Sequence, residues 1–128
     1  MTENKKENLN NRMIKFLFEG APVRGACVQM AEEWQEMIKF HHYPENVAAL
    51  LGQFTAGALL LSSTIKFEGS LILQVKGSGP IAFIYAEVRN PMSVRAMAEI
   101  REGAEIKPEM DLQELINKDG KGLCALIL

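Results

Sequence analysis

The chain has 128 residues, with 14 Lys+Arg against 16 Asp+Glu for a formal charge of −2, and it is 48% apolar and 23% charged. These are ordinary globular proportions, and the length suits one domain that buries about 70% of its unfolded surface. They exclude a collagen-like repeat, a disulfide scaffold and a largely disordered chain. The slightly acidic balance argues against a basic nucleic-acid binder. Two cysteines, Cys27 and Cys124, are too far apart for a local Cys-x-x-Cys pair and too few for a four-cysteine zinc framework.

Residues 1–12 form a polar segment without the apolar core of a secretory signal, so cytoplasmic residence is the default. Residues 13–18 read as a strand. Gly20-Ala21-Pro22 is a turn signal, and residues 23–30 read as a second strand with Gly25 marking a bulge. The period then changes. Met30, Trp34, Met37, Ile38 and His41 repeat with helical spacing, while Glu32, Glu33, Gln35, Glu36 and Lys39 take the other face. The acidic residues come early, where the helix dipole favours them. Tyr43-Pro44 closes this helix, because a residue preceding proline avoids the helical region.

Pro44 and Glu45 suit the first turn of a second helix. Residues 46–65 carry no charge and are long enough to span a bilayer. Gln53, Thr55, Ser62, Ser63 and Thr64 dilute their hydrophobicity, and no polybasic flank sets an orientation. The better reading is a helix buried on nearly all sides, with Gly52, Ala56 and Gly57 permitting close packing.

Three strands follow, at residues 71–76, 81–88 and 93–100, with turns at Gly77-Ser78-Gly79-Pro80 and Asn90-Pro91. The short spacings predict an antiparallel meander. The middle strand has two apolar rows, Ile81/Phe83/Tyr85 and Ala82/Ile84/Ala86/Val88, so both its faces are expected to be covered. Arg95 and Glu99 share a solvated face. Asp111 and Glu114 form a D-x-x-E capping box that opens a short helix through Ile116. Asp119-Gly120 turns into an apolar run, residues 122–128, that reads as a buried central strand.

The chemistry expected of a catalyst is sparse. Gly77-Ser78-Gly79 lacks the lysine and the following helix of a phosphate loop. His41 and His42 diverge on a helix and have no metal-ligand spacing partner. Cys27 and Cys124 lie in apolar strand patterns, where free cysteine acts as a small hydrophobe. Ser62-Ser63 has no nucleophile-elbow context. An enzymatic or small-molecule-binding α+β domain remains the alternative reading, and it requires Arg24, Cys27, His41 and His42 to converge on one pocket.

The order of motifs resembles the 33-kDa heat-shock family of redox-regulated holdase chaperones. Residues 16–25 (FLFEGAPVRG) resemble that family's opening strand, turn and "VRG". Tyr43-Pro44 precedes the long helix. Residues 59–69 (LLLSSTIKFEG) resemble its "LLxxTLKFxG" exit, residues 71–80 (LILQVKGSGP) its "xxLQxxGxGP" hairpin, and Val94-Arg95-Ala96 its "MRGxA" strand, with alanine in place of the usual glycine. The resemblance implies an α+β fold in which an antiparallel meander packs with a long buried helix and an amphipathic helix. It implies a non-enzymatic, ATP-independent holdase that binds unfolding proteins under oxidative and heat stress, often as a homodimer, without nucleic-acid or membrane partners.

In that family a C-terminal domain binds one zinc through four cysteines and acts as the redox switch. Cys27 and Cys124 match none of the four, so no metal, cofactor or redox role carries over. Residues 13–128 are then expected to be part of a client-binding domain, a fragment or truncated product. No client-contacting residue is identifiable from the string alone.

Overall fold

The computed structural model describes residues 11–89 and 93–128. The first two strands, β1 (Asn11–Leu17) and β2 (Arg24–Met30), pair antiparallel as a separate two-stranded ribbon. Helices α1 (Glu32–Lys39) and α2 (Glu45–Ser62) follow. Then come β3 (Ser70–Lys76), β4 (Ile81–Arg89) and β5 (Ser93–Ile100), the short helix α3 (Leu112–Ile116) and β6 (Leu123–Ile127). The last four strands form one antiparallel sheet in the order β5-β4-β3-β6. The α+β meander is as expected, and the Asn90-Pro91 turn lies outside the described residues.

Helix α2 organises the core. Val47 and Leu51 in its first half meet Ile81, Ile84 and Ala98 of the sheet and Leu115 and Ile116 of α3. Ala58 and Leu59 in its second half meet Ala86 and Val88, with Met13, Val28 and Met30 of the ribbon packed alongside. Thr55 is fully buried, and its hydroxyl donates to the Leu51 carbonyl at 2.7 Å, so no polar atom is left unpaired there. The helix is buried along one stripe only. Ala49 and Gln53 are exposed, and a Cβ on Gly57 would meet open space. Gly52 does serve close packing, because the Trp34 ring of α1 lies 3.3 Å from where its Cβ would sit. No described helix is long and apolar enough to cross a membrane.

Local chemistry fixes the ends. The Asp111 side chain accepts from the Glu114 N–H at 3.0 Å, the expected N-cap of α3. Asn46 Nδ2 donates to the carbonyls of Lys107 and Met110, tying the start of α2 to the loop that leads into α3. Arg101 donates to the carbonyls of Gly77 (2.6 Å) and Gly79 (2.8 Å), clamping the β3–β4 turn. The Tyr43 hydroxyl accepts from the Ala98 N–H on the outer strand β5 and so blunts that edge.

Three sequence expectations need correction. The β1–β2 register runs unbroken through Phe16↔Gly25, so Gly25 is no bulge; instead the Phe16 ring occupies the space a Cβ would need. The bulge lies in β4, between Ile81 and Phe83. It turns Ile81 into the core, away from the row of Phe83 and Tyr85 with which simple alternation groups it. Finally, among the described strands β6 lies at the edge of the sheet, without the second neighbour expected of a central strand. It pairs with β3 alone among the described strands, and Leu123 and Leu128 are 66% and 62% exposed.

Candidate functional site

The sheet is covered on one face. Alternation and register assign Leu71, Leu73 and Val75 of β3, Ile84, Ala86 and Val88 of β4, and Val94, Ala96 and Ala98 of β5 to the α2 side. All of them belong to or flank the core, and Leu71 is completely buried. The opposite row comprises Ile72 and Gln74, then Phe83, Tyr85, Glu87 and Arg89, then Arg95, Met97 and Glu99, then Leu123, Ala125 and Ile127. No residue of this row belongs to either core cluster. It is a broad open face with apolar side chains from all four strands, flanked by the outer backbone edge of β6.

One polar cluster sits in it. Glu87 accepts from the Tyr85 hydroxyl and from Arg89 Nε at 3.0 Å. It is only 8% exposed, although it belongs to neither core cluster. The Tyr85 hydrogen bond first, and Arg89 second, hold the Glu87 carboxyl below its ordinary value. Burial first, and the bond to Glu87 second, push the Tyr85 phenol up. The carboxylate therefore stays charged but internally satisfied; of the apolar row, Leu123 and Ile127 are exposed and Ile72, Phe83, Tyr85 and Met97 are half-buried.

The residues weighed for catalysis do not come together. Arg24 lines a cavity between the ribbon and the end of α2. His41 lines a different, shallow one beside Glu33, Met37 and Arg95, and Cys27 lines neither. His42 is exposed. Ser62 and Ser63 donate their hydroxyls to the Leu59 and Leu60 carbonyls of their own helix. The Gly77–Pro80 segment is a strand connection, as expected. Arg95 and Glu99 are exposed on the open face.

Both cysteines are free and exposed, against the expectation of small buried hydrophobes. Cys27 faces outward opposite Ile14 on a ribbon that packs through its other side, and Cys124 lies on the outer strand β6. Among the described residues no group of three or more His, Cys, Asp or Glu side chains could hold a metal ion. The chain's own cysteines therefore do not fit the zinc site implied by the resemblance.

The described residues form an α+β domain whose sheet carries its helices on one face, and the residues weighed for catalysis do not converge in it. The sequence matches the Hsp33 protein family over residues 11–127, and the chain belongs to that family. It is 36% identical to a 33 kDa chaperonin of Chromobacterium violaceum over 119 residues, covering 93% of this chain and 40% of the relative. It is 38% identical to a 33 kDa chaperonin of Neisseria gonorrhoeae over 113 residues, covering 88% and 37%. With Shewanella woodyi's 33 kDa chaperonin the identity is 36% over 113 residues. The chain thus spans about two fifths of the length of the relatives it matches.

The open face and the β6 edge were not legible as a site in the sequence. The available signal was the last strand, whose apolar residues fall on both rows and so cannot all enter one core.

Proposed function

We propose that this chain is the client-binding body of an ATP-independent, cytoplasmic holdase that captures unfolding proteins under heat and oxidative stress. Membership of the Hsp33 family supports a chaperone. The observation that carries the finer reading is the sheet face away from the helices, where Ile72, Phe83, Tyr85, Met97 and Ile127 form an apolar surface beside a β6 edge that no described strand pairs. An unfolding polypeptide offers what such a surface lacks: apolar side chains for the row and backbone N–H and C=O groups for the edge. Neither interaction consumes nucleotide, and no bond is made or broken, so the reading is non-enzymatic. The same edge supports a homodimer through β6. No role for nucleic acid or membrane belongs to this reading, and the zinc-thiolate switch belongs to other parts of the family's longer chains.

The test is suppression of aggregation. The purified, folded chain, mixed without nucleotide with a thermally denaturing client, is expected to lower light scattering in proportion to its concentration. An Ile72→Lys/Ile127→Lys variant, altered on one cross-strand pair, is expected to lose most of that protection while remaining folded. Absence of protection by the wild-type chain, or full protection by the variant, would overturn the proposal.

A further inference from the structure

A second concave surface lies away from the open sheet face. The far end of the β1–β2 ribbon projects past the last turn of α2 and leaves a groove of about 760 Å³, lined by Phe16, Leu17 and Leu60 among apolar groups and by Lys15 and Arg24. An adjoining lobe shares Lys15 and Arg24 and continues along the exit of α2, past Lys66 and Phe67. Glu68 is the acidic residue in this lining. The volume falls in the range of small-molecule sites, about 300–1,000 Å³.

The cations have no internal employment. Lys15 pairs across the ribbon with Ala26, and Arg24 with Leu17, so the two lie diagonally on one face, with Cβ atoms no more than about 7–8 Å apart. Neither makes a hydrogen bond or ion pair among the described residues. The natural internal partners for cations near a helix C-terminus are its last carbonyls. Those are already taken. Leu59, Leu60 and Leu61 accept from the hydroxyls of Ser62, Ser63 and Thr64, and from the backbone N–H groups of Ser63, Thr64 and Ile65. Two exposed like charges are therefore placed on one face beside an apolar trough, an arrangement that suits an anionic head with an apolar tail.

We propose that this groove binds an amphiphilic carboxylate, a single aliphatic chain bearing one anionic head. The head sits between Lys15 and Arg24, where the guanidinium offers two parallel donors and the ammonium a point charge. The tail lies along Leu60 and Leu17, the latter on the same ribbon face as Lys15 and Arg24. This site is separate from the open sheet face and does not depend on the chaperone reading.

The test uses the whole chain and laurate below its micellar concentration, followed by calorimetry. Laurate is expected to bind saturably, about one per chain. Dodecanol, with the same tail and no charge, is expected to bind about tenfold more weakly, the scale of one charge-assisted contact. Lys15→Gln/Arg24→Gln, both exposed positions, should reduce laurate affinity by at least that factor and leave dodecanol unchanged. Lys15→Arg/Arg24→Lys should restore it. Equal affinity for laurate and dodecanol, or undiminished laurate binding by the Gln variant, would overturn the proposal.

Discussion

Leu71 and Ile72 are neighbours on β3, both aliphatic and of the same size, yet they live in different surroundings. Leu71 is completely buried on the α2 side of the sheet, whereas Ile72 faces the other side among half-buried Phe83, Tyr85 and Met97. The whole sheet repeats that contrast. What separates its two faces is not apolarity, which both possess, but the presence of a third element to cover one of them. Three helices follow or interrupt the strands, and each puts its apolar residues on the same side. The other side is left with an unspent hydrophobic driving force, and that difference is what makes a chaperone reading physical.

The largest expected effect tests this contrast directly. Leu71→Ala empties a sealed position and should cost about 3 kcal/mol, within the usual range for buried leucine. Ile72→Ala truncates a side chain that is only partly buried and should cost less, about 1 kcal/mol. Urea denaturation of the two variants measures both, with unchanged slopes confirming a two-state comparison. Equal costs would mean that something covers the open face after all, and the comparison would collapse.

A second substitution breaks the covered side by another route. The Ile116 carbonyl oxygen lies 1.7 Å from where a Cβ on Gly77 would sit. Gly77→Ala must therefore push α3 outward and loosen Leu115 and Ile116, both almost fully buried. A cost of about 2 kcal/mol is expected, typical of overpacking. Gly20→Ala is the control. Its φ is +77° but nothing lies within 4 Å, so only backbone strain of about 1 kcal/mol applies.

How much of this could be read from the string follows from the same contrast. The long helix, the meander and the α3 cap were legible because period and capping are local: Asp111 bonds Glu114 whatever else the chain does. The bulge was not, because alternation alone puts Ile81 with Phe83, and only pairing with Ile100 shows that it turns inward. Cys27 and Cys124 looked buried because their neighbours are apolar. Both are exposed because, among the described residues, no element covers the ribbon's outer face or pairs the free side of β6. The Lys15–Arg24 groove was equally hidden. Those residues come together through ribbon register and the position of α2, and neither is encoded within a few residues.

The remaining predictions are smaller. Asp111→Ala removes the α3 cap and should cost about 1 kcal/mol, read again by urea midpoint. It should leave aggregation suppression intact, since α3 packs against the covered side. Loss of both together would link the two faces more tightly than the packing implies.

The smallest effect is electrostatic and belongs to the open face. Because Tyr85 and Arg89 lower the Glu87 carboxyl below its unfolded value, its contribution to stability is present above the ordinary glutamate range, about pH 4.3. That contribution is lost as pH falls toward the depressed folded value. Glu33 acts with the opposite sign. Burial raises its carboxyl, so folding gains stability as pH falls through that raised value. The two act in adjoining windows, Glu33 above about pH 4.3 and Glu87 below it. Glu33→Gln removes the first of these, so stability should no longer rise as pH falls toward about 4.3, while the acid limb below it remains. Adding Glu87→Gln should flatten the curve while keeping an acceptor for the Tyr85 hydroxyl. An unchanged acid limb would show that Glu87 is as solvated in the folded chain as in the unfolded one. The open face would then hold no ordered polar cluster, and its apolar row would be less fixed than the register suggests.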